Sequence, residues 1–241
     1  VQKYVENQDL IEVRRIQKDI LQDYEEDFSK HIPNTELPKV TAVWNSIPSQ
    51  LAKENKKFIW GALKKGARAK EFENAVQWLI DAGLVHKVPR LKKIELPVKF
   101  YEDFSAFKLF FNDVGLLGAL SDVPAKEILV STKLMTEYKG AFTEQYVAQQ
   151  YFSALSSTYI LPLYYYSNEN STLEIDFVFQ KENAFPIEVK AEENLRAKSL
   201  STILKANTEI TGIRFSMSDY REQERMVNVP LYLAFWYFEW V

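Results

Sequence analysis

The residues of this chain that could do chemistry lie in two short apolar segments, Glu174-Ile175-Asp176-Phe177-Val178-Phe179 and Pro186-Ile187-Glu188-Val189-Lys190. Polar side chains at alternate positions among β-branched, apolar and aromatic residues predict that each segment is a strand. Alternation then places Glu174 and Asp176 on one face of the first strand. It places Glu188 and Lys190 on one face of the second strand. If the two strands pair as a hairpin with these faces shared, three carboxylates and one ammonium converge.

Three carboxylates crowded together repel one another, and a bound divalent cation relieves that repulsion. Hard carboxylate oxygens suit Mg²⁺ or Mn²⁺. A lysine beside the metal would orient a water molecule or stabilise the charge that builds on a phosphate. The pattern therefore predicts a nuclease-like site with Asp176, Glu188 and Glu174 around a metal and Lys190 beside it. The alternative is purely structural, because acidic residues alternating with apolar ones are typical of any half-exposed strand.

Composition excludes several other kinds of site. The chain has 241 residues and no cysteine, which excludes disulfides, zinc–thiolate sites and thiol nucleophiles. Its two histidines, His31 and His86, lie far apart, which argues against a histidine-rich metal site and a Ser-His-Asp triad.

No signal peptide or membrane span is recognisable, so the sequence predicts a cytoplasmic protein without a membrane partner. The chain starts at Val1 inside a helix-like pattern, which predicts that it is a fragment of a longer protein.

Charge is distributed unevenly along the chain, although the net formal charge is only −3. Residues 51–99 contain twelve Lys/Arg and five Asp/Glu, whereas residues 100–241 contain twelve and nineteen. The middle of the chain is therefore the candidate anion-binding surface, and the acidic C-terminal part carries the candidate metal site. Because residues 1–39 contain nine Asp/Glu and six Lys/Arg, an alternative is that the basic segment meets this acidic segment and no nucleic acid.

Residues 40–97 predict a compact helical unit closed by strands. Residues 40–53 and 69–80 have helical periodicity, a second short helix between them includes residues 58–60, and residues 84–89 and 107–111 have strand patterns. Helices followed by a β-hairpin are typical of a winged helix-turn-helix, whose third helix would contact DNA. The candidate nucleic-acid-binding residues lie at the entrance of that helix and on the wing: Lys64, Lys65, Arg68, Lys70, Lys87, Arg90, Lys92 and Lys93. The alternative is a winged helix used only for packing or for contacts in a homo-oligomer.

The chain from Gly140 onward predicts an α/β domain with a mixed sheet. The predicted order is a helix from Gly140, three strands, a helix over 196–206, a strand over 211–217 and a last strand over 231–237. Glu144 lies near the start of the first of these helices. It either favours the helix dipole, as any first-turn glutamate does, or faces the acidic cluster and helps to hold the metal or its water.

Several different motifs follow one another along nearly the whole chain. They lie at residues 107–117, 140, 143–147, 174–178, 187–190, 198–200 and 229–232. This ordered set resembles the PD-(D/E)xK, or restriction-endonuclease-like, superfamily. More closely, the chain looks like the C-terminal region of a large group of bacterial and archaeal AAA-type ATPases. In that group an ATPase domain precedes a winged helix and a nuclease-like domain of unknown function.

The resemblance implies roles for the matching residues. Asp176 and Glu188 would hold Mg²⁺ or Mn²⁺. Lys190 would orient the attacking water or stabilise the transition state, and Glu144 would assist. Ile175 stands where the motif of the superfamily has a proline, a position that varies within it. The resemblance also implies a missing N-terminal ATPase domain, which would be a partner of this chain and would bind ATP.

Together these observations predict a helical linker over residues 1–39, a winged-helix-like domain over 40–115 and a PD-(D/E)xK nuclease-like domain over 116–241. The predicted function is that of a metal-dependent DNA endonuclease module with a DNA-binding winged helix in the C-terminal part of an AAA-type ATPase. The alternative is a catalytically silent nuclease-fold module that acts in DNA or protein binding and assembly.

Overall fold

The structure is a computed structural model of the 241-residue chain, and it describes residues 2–53, 56–125, 138–155, 161–192 and 197–240. The chain divides into two compact units. The first unit comprises Val1–His86 and Leu109–Tyr138, and the second comprises Lys87–Lys108 and Lys139–Val241. This division differs from the boundaries drawn on the sequence in two places. Residues 87–108, assigned there to the winged helix, belong to the second unit, and residues 116–138, assigned there to the nuclease-like domain, belong to the first.

Helices build the first unit, and they are α1 (Gln2–Asn7), α2 (Leu10–His31), α3 (Leu37–Leu51), α4 (Ala69–Asp81) and α5 (Val114–Leu120). The helical linker predicted at the start of the chain is interrupted because Gln8 has a left-handed φ of 56°. Asp9 then caps α2, since its side chain accepts hydrogen bonds from the backbone N–H groups of Ile11 and Glu12. The core of this unit is centred on Trp44, which is fully buried and meets the Phe28 ring edge-on at 5.5 Å.

Among the described residues, the strands form a mixed eight-stranded sheet with the order β2-β1-β3-β4-β5-β6-β8-β7. The strands are β1 (Val85–Leu91), β2 (Glu102–Phe111), β3 (Tyr164–Ser167), β4 (Glu174–Gln180), β5 (Ala184–Val189), β6 (Gly212–Ser216), β7 (Arg221–Gln223) and β8 (Met226–Pro230). Helices α6 (Lys139–Ala154), α7 (Lys198–Ala206) and α8 (Ala234–Trp240) complete the second unit. The predicted α/β class with a mixed sheet is therefore confirmed.

The strands β1 and β2, predicted as the wing of a winged helix, occupy the first two positions of this sheet. Arg90 and Leu91 of β1 pair with Tyr165 and Tyr166 of β3 in parallel. Both strands therefore extend the sheet that carries the candidate acidic site.

The two strands that carry the acidic residues are confirmed as β4 and β5, which pair antiparallel with Phe177 opposite Ile187. The last predicted strand, over residues 231–237, is wrong. Leu231–Leu233 form a 3₁₀ turn and α8 follows at Ala234, whereas the strand is β8, which ends at Pro230. A short aromatic and apolar run has no period that separates a buried strand from a buried helix, so the sequence pattern could not decide here.

The second unit buries apolar side chains on both faces of its sheet. On one face, Tyr151 of α6 and Phe238 of α8 meet at 5.0 Å, and Tyr151 also meets Phe179 of β4 at 5.6 Å. On the other face, Leu200 of α7 lies in a buried cluster with Val178 of β4. No helix among the residues that the structure describes is long and apolar enough to cross a membrane.

Candidate functional site

A register shift between β3 and β4 disturbs the simple alternation of side chains at the candidate site. Tyr164 pairs with Val178, but Tyr166 pairs with Ile175. Over this interval β3 advances by two residues and β4 by three, so β4 contains one extra residue. Ile175 and Val178 consequently lie in one buried cluster, although they are three residues apart. The contacts of each carboxylate, and not the predicted alternation, therefore define where it lies.

A buried lysine from β2 occupies the centre of one group of carboxylates. The side chain of Lys108 is fully buried, and its Nζ lies 2.6 Å from Glu174 Oε1 and 3.9 Å from Glu144 Oε2. The Tyr165 ring lies beneath the same ammonium, with its centroid 4.7 Å away. The structure thus brings Glu144 and Glu174 together around a protein cation that the sequence analysis did not include.

Electrostatics keep this buried lysine charged. Burial alone lowers the pKa of Lys108, because a low-dielectric interior disfavours the ammonium. Attraction to Glu144, Glu174 and Asp176 outweighs that effect, so the net shift of the Lys108 pKa is upward. The Lys108 ammonium therefore compensates the charge of the carboxylates that surround it.

The predicted Glu-x-Lys pair and Asp176 form a second group. The Oδ2 atom of Asp176 accepts a hydrogen bond of 2.7 Å from the backbone N–H of Val189, the residue between Glu188 and Lys190. The Nζ atom of Lys190 lies 2.5 Å from Glu188 Oε1. Glu188 is buried, and its Oε2 accepts a hydrogen bond of 3.1 Å from the backbone N–H of Leu200 at the start of α7. Asp176 thus lies against the segment that carries the other two residues of the motif.

Glu188 adjoins a network of polar side chains on β6 and β8. Arg214 is the register partner of Glu188 in the parallel β5–β6 pair, and only 2% of its surface is exposed. Its Nε donates a hydrogen bond of 2.9 Å to Asn228 Oδ1, which also accepts from the Ser216 hydroxyl. Burial lowers the pKa of Arg214, and attraction to Glu188 opposes that shift. Glu188 is therefore held between a cation on the neighbouring strand and the exposed end of Lys190.

The carboxylates of the second group fit a magnesium ion better than those of the first. Across the described part of the chain, no three His, Asp or Glu side chains are grouped so as to hold a metal ion. Magnesium, however, is commonly bound by one or two protein carboxylates together with water and phosphate oxygens. Asp176 and Glu188 could supply such a pair once the ammonium of Lys190, which is one third exposed, turns away from Glu188. Glu174, in contrast, contacts the fully buried ammonium of Lys108.

The predicted nucleic-acid-binding residues are divided between the two units. In the first unit, Lys64, Lys65, Arg68 and Lys70 are all exposed, and they lead into α4 at Ala69. No described acidic side chain forms an ion pair with any of these four cations.

In the second unit, the predicted wing cations differ in their partners. Arg90 forms an ion pair with Asp103, and Lys93 lies 3.7 Å from Glu95. The Nζ of Lys87 lies 4.8 Å from the centroid of the Phe107 ring. Lys92 is exposed and forms no ion pair with a described residue. Lys92 and Lys87 are therefore more available to a phosphate than Arg90 is.

Sequence reasoning missed Lys108 and Arg214 as members of the site. Each is a single cation inside an otherwise apolar strand, in Ala106-Phe107-Lys108-Leu109-Phe110 and in Ile213-Arg214-Phe215. A charge in such a run is either exposed or paired in the interior, because an unpaired buried charge is very costly. That signal could have nominated both residues as partners for the carboxylates, without naming the carboxylates.

Comparison with known protein families found two matches. The family described as Domain of unknown function (DUF8612) matches residues 1–127, and the family described as Domain of unknown function (DUF4143) matches residues 139–234. The second match contains Glu144, Asp176, Glu188 and Lys190. No curated protein and no solved structure matched the chain. Because the first match extends over more than half of the 241 residues, this chain belongs to the family described as Domain of unknown function (DUF8612).

Proposed function

We propose that this chain is a metal-dependent nuclease module that hydrolyses phosphodiester bonds of DNA. One observation carries the proposal: Asp176 Oδ2 accepts a hydrogen bond from the Val189 N–H, which lies between Glu188 and Lys190. This hydrogen bond holds Asp176 against the Glu188-Val189-Lys190 segment, which is where a second metal ligand beside Glu188 would have to lie. The resemblance noted in the sequence supports the same assignment.

The proposed roles follow from the contacts of each residue. Asp176 and Glu188 would hold Mg²⁺ or Mn²⁺, which would supply charge neutralisation on the scissile phosphate and activation of a water molecule. Lys190 is one third exposed, so its ammonium can turn from Glu188 toward a phosphate or a water. Glu144 and Glu174 would act indirectly, because both contact Lys108. Lys108 therefore balances the charge next to the proposed metal ligands.

The test uses isosteric substitutions that keep the hydrogen bonds of the site. An amide oxygen can still accept from the N–H of Val189 or Leu200, so Asp176→Asn and Glu188→Gln remove charge with little change in shape. Lys190→Met removes the ammonium and keeps an apolar stem. The matched controls are Glu182→Gln and Lys181→Met, both in the exposed turn between β4 and β5.

Cleavage of plasmid and single-stranded DNA with Mg²⁺ or Mn²⁺ is the first readout. We expect the rate to fall by about a hundredfold or more in Lys190→Met, Asp176→Asn and Glu188→Gln, and to stay unchanged in both controls. The second readout is Mn²⁺ binding by calorimetry, which Asp176→Asn should abolish. Wild-type protein that binds no Mn²⁺ and cleaves no DNA would overturn the proposal.

The exposed basic segment over residues 64–70, which leads into the first turn of α4, would dock the DNA backbone. The four cations Lys64, Lys65, Arg68 and Lys70 have no described ion-pair partner, and four cations within seven residues present a local positive charge. Neutralising all four should weaken DNA binding and lower its salt dependence, while leaving Mn²⁺ binding unchanged. DNA binding that is indifferent to these four changes would remove the segment from the proposal.

A second candidate function is a catalytically silent nuclease-fold module that binds DNA or protein. It is favoured because the carboxylates already have hydrogen-bond or ion-pair partners within the protein. Both oxygens of Glu188 contact donors, Lys190 and the Leu200 N–H, and Glu174 contacts Lys108. In this case DNA binding would persist in Asp176→Asn, and wild-type protein would neither bind Mn²⁺ nor cleave DNA.

We further propose that the chain works as the C-terminal part of a cytoplasmic AAA-type ATPase. The ordered motifs quoted above support this, since the same order characterises the C-terminal region of that group. The proposal predicts that the reading frame upstream of Val1 encodes a Walker A motif after a buried strand, which sequencing of the complete gene would reveal. A frame that encodes no such motif would contradict it.

A further inference from the structure

A cationic pocket in the second unit lies beside the candidate site, and the proposed reaction does not use it. The pocket has a volume of about 620 Å³ and is lined by residues of α7, β6, β7 and β8. Its basic lining side chains are Lys198, Lys205, Arg214 and Arg221. Among the described residues that line it, none is acidic. The pocket therefore concentrates positive charge in a space large enough for a phosphate and part of its neighbouring sugar.

The α7 side of the pocket presents two lysines from one helix face. Lys198 and Lys205 are seven residues apart, which is two helical turns, so they lie on the same side of α7. The hydroxyl-bearing residues Ser201 and Thr202 lie between them and also line the pocket. Within the described part of the chain, Lys198, Lys205 and Arg221 form no ion pair. These cations are available to an anion from solvent.

The β6 side of the pocket presents an arginine that is fixed in place. Arg214 is almost completely buried, and Asn228 accepts a hydrogen bond from its Nε. The Asn228 amide in turn donates to the backbone carbonyls of Ser218 at 3.1 Å and Asp219 at 2.8 Å. A guanidinium held by such a network loses little freedom when it binds an anion, which favours phosphate recognition.

The walls of this pocket are the same elements that hold Glu188. Leu200, between the pocket residues Lys198 and Ser201, donates its backbone N–H to Glu188 Oε2. Arg214 is the strand partner of Glu188. Close packing fixes this arrangement, because a Cβ atom at Gly212 of β6 would lie only 2.8 Å from Leu200 Cδ1. A ligand in the pocket would consequently lie next to the candidate site.

We propose that this pocket binds a backbone phosphate of the polynucleotide, adjacent to the phosphodiester that Asp176, Glu188 and Lys190 act on. The identity of the ligand rests on the proposed function. The described lining contains cations and hydroxyls but no aromatic side chain on which a base could stack. The pocket therefore recognises the sugar–phosphate backbone and not the base sequence.

The test measures binding without cleavage. The 241-residue chain is titrated against a fluorescein-labelled single-stranded oligonucleotide in EDTA, and anisotropy is followed over a series of salt concentrations. The variant is Lys198→Gln with Lys205→Gln, because both side chains are exposed and their loss leaves the Arg214 network intact. The matched control removes two exposed lysines elsewhere in the same unit, Lys99→Gln with Lys181→Gln.

We expect the pocket variant to bind about tenfold more weakly at low salt, with a salt slope smaller by about 0.7, since one single-strand phosphate contact contributes about 0.7. The control should change both quantities by much less. Inorganic phosphate should compete with the oligonucleotide for wild-type protein and compete less well for the variant.

Equal affinities and slopes for wild type and pocket variant would overturn the inference, as would binding of inorganic phosphate without binding of the oligonucleotide. The result is separable from the proposed function. A wild-type protein that cleaves DNA while the pocket variant binds normally keeps the function and removes the pocket. A protein that cleaves nothing, yet loses oligonucleotide binding in the pocket variant, keeps the pocket and removes the function.

Discussion

Two lysines of the second unit contact glutamates at nearly the same distance but in different surroundings. Lys108 lies 2.6 Å from Glu174 and has no exposed side-chain surface, whereas Lys190 lies 2.5 Å from Glu188 and is 33% exposed. Because the two distances are nearly equal, the pairs differ in the burial of the lysine and not in the separation of the charges. A buried ammonium must keep its carboxylates, since leaving either charge alone in the interior costs several kcal/mol. An exposed ammonium can exchange its carboxylate for water or for a phosphate.

The comparison indicates different roles for two groups of carboxylates that the sequence analysis placed in one site. Glu144 and Glu174 contact Lys108 and contribute to the stability of the fold. Glu188 contacts the partly exposed Lys190, and Asp176 accepts a hydrogen bond from the backbone N–H of Val189 between them; we propose that a cation or a substrate replaces Lys190 there. Substitutions at the two lysines should therefore separate stability from activity.

The largest expected effect is on the free energy of unfolding of Lys108→Met. Removing the ammonium leaves the buried Glu144 and the half-buried Glu174 without its charge, so we expect a loss of about 3–5 kcal/mol, measured by urea unfolding. Lys190→Met, the matched control, should lose about 1 kcal/mol or less, because Lys190 is one third exposed and Glu188 keeps its hydrogen bond from the Leu200 N–H. Similar losses in the two variants would break the distinction drawn from burial.

A smaller effect should appear when the partner of the buried lysine is neutralised as well. In the Lys108→Met background, Glu174→Gln removes a carboxylate that lacks its ammonium. The double variant should therefore lose less unfolding free energy than the sum of the losses in the two single variants. We expect a coupling of about 1–3 kcal/mol from unfolding measurements on the complete cycle. Glu174→Gln combined with Lys181→Met, at the far end of β4, should be additive within about 0.5 kcal/mol. Additivity in the first pair would show that Lys108 and Glu174 do not interact.

The pH dependence of stability offers a third comparison. The folded-state pKa of Lys108 is raised above its ordinary value of 10.5. The stability gained from its charged form is therefore complete below the unfolded-state pKa and is lost as pH rises through the folded-state pKa. The difference in unfolding free energy between wild type and Lys108→Met should be constant from about pH 7 to about pH 10, and then shrink. A difference that grows above about pH 10.5 would contradict the upward shift.

How much of this site could be predicted depended on the range of the interactions involved. Strands β4 and β5 and the Glu-x-Lys pair follow from local alternation, and the structure has both strands where the pattern predicts them. The contact of Glu174 with Lys108 joins residues 66 positions apart, so it depends on which strands meet in the sheet. No local pattern encodes that choice.

The register shift and the last helix were unpredictable for related reasons. The extra residue in β4 arises from its pairing with β3, and pairing is a property of two segments. The run over residues 231–237 has strand-like composition, but Ala234 and Phe238 are buried as members of a helix that packs against α6. Tertiary packing, which a single sequence does not display, therefore overrides local propensity here.

The smallest expected effect extends the comparison of buried and exposed cations to β1 and the segment after it. Arg90 donates from Nε to Asp103 Oδ2 at 2.9 Å, and the side chain of Asp103 is only 8% exposed. Burial raises the pKa of Asp103, but hydrogen bonds from Ser105 and Arg90 outweigh it and lower the pKa to about 2. The pair therefore stabilises the fold at neutral pH, and this contribution is lost as pH falls through about 2.

Arg90→Gln should consequently reduce stability at neutral pH and leave DNA affinity unchanged. Lys92→Gln should leave stability unchanged, because Lys92 is exposed and has no described ion-pair partner. Loss of one duplex phosphate contact in Lys92→Gln should lower the salt slope of binding by about 0.9. The ratio of wild-type to variant affinity should therefore shrink by about threefold when the salt concentration is raised fourfold. Anisotropy titrations with duplex DNA at several salt concentrations measure both quantities. If Arg90→Gln lowers the slope while Lys92→Gln does not, a buried ion pair opens to bind DNA, and burial does not mark which cations are available.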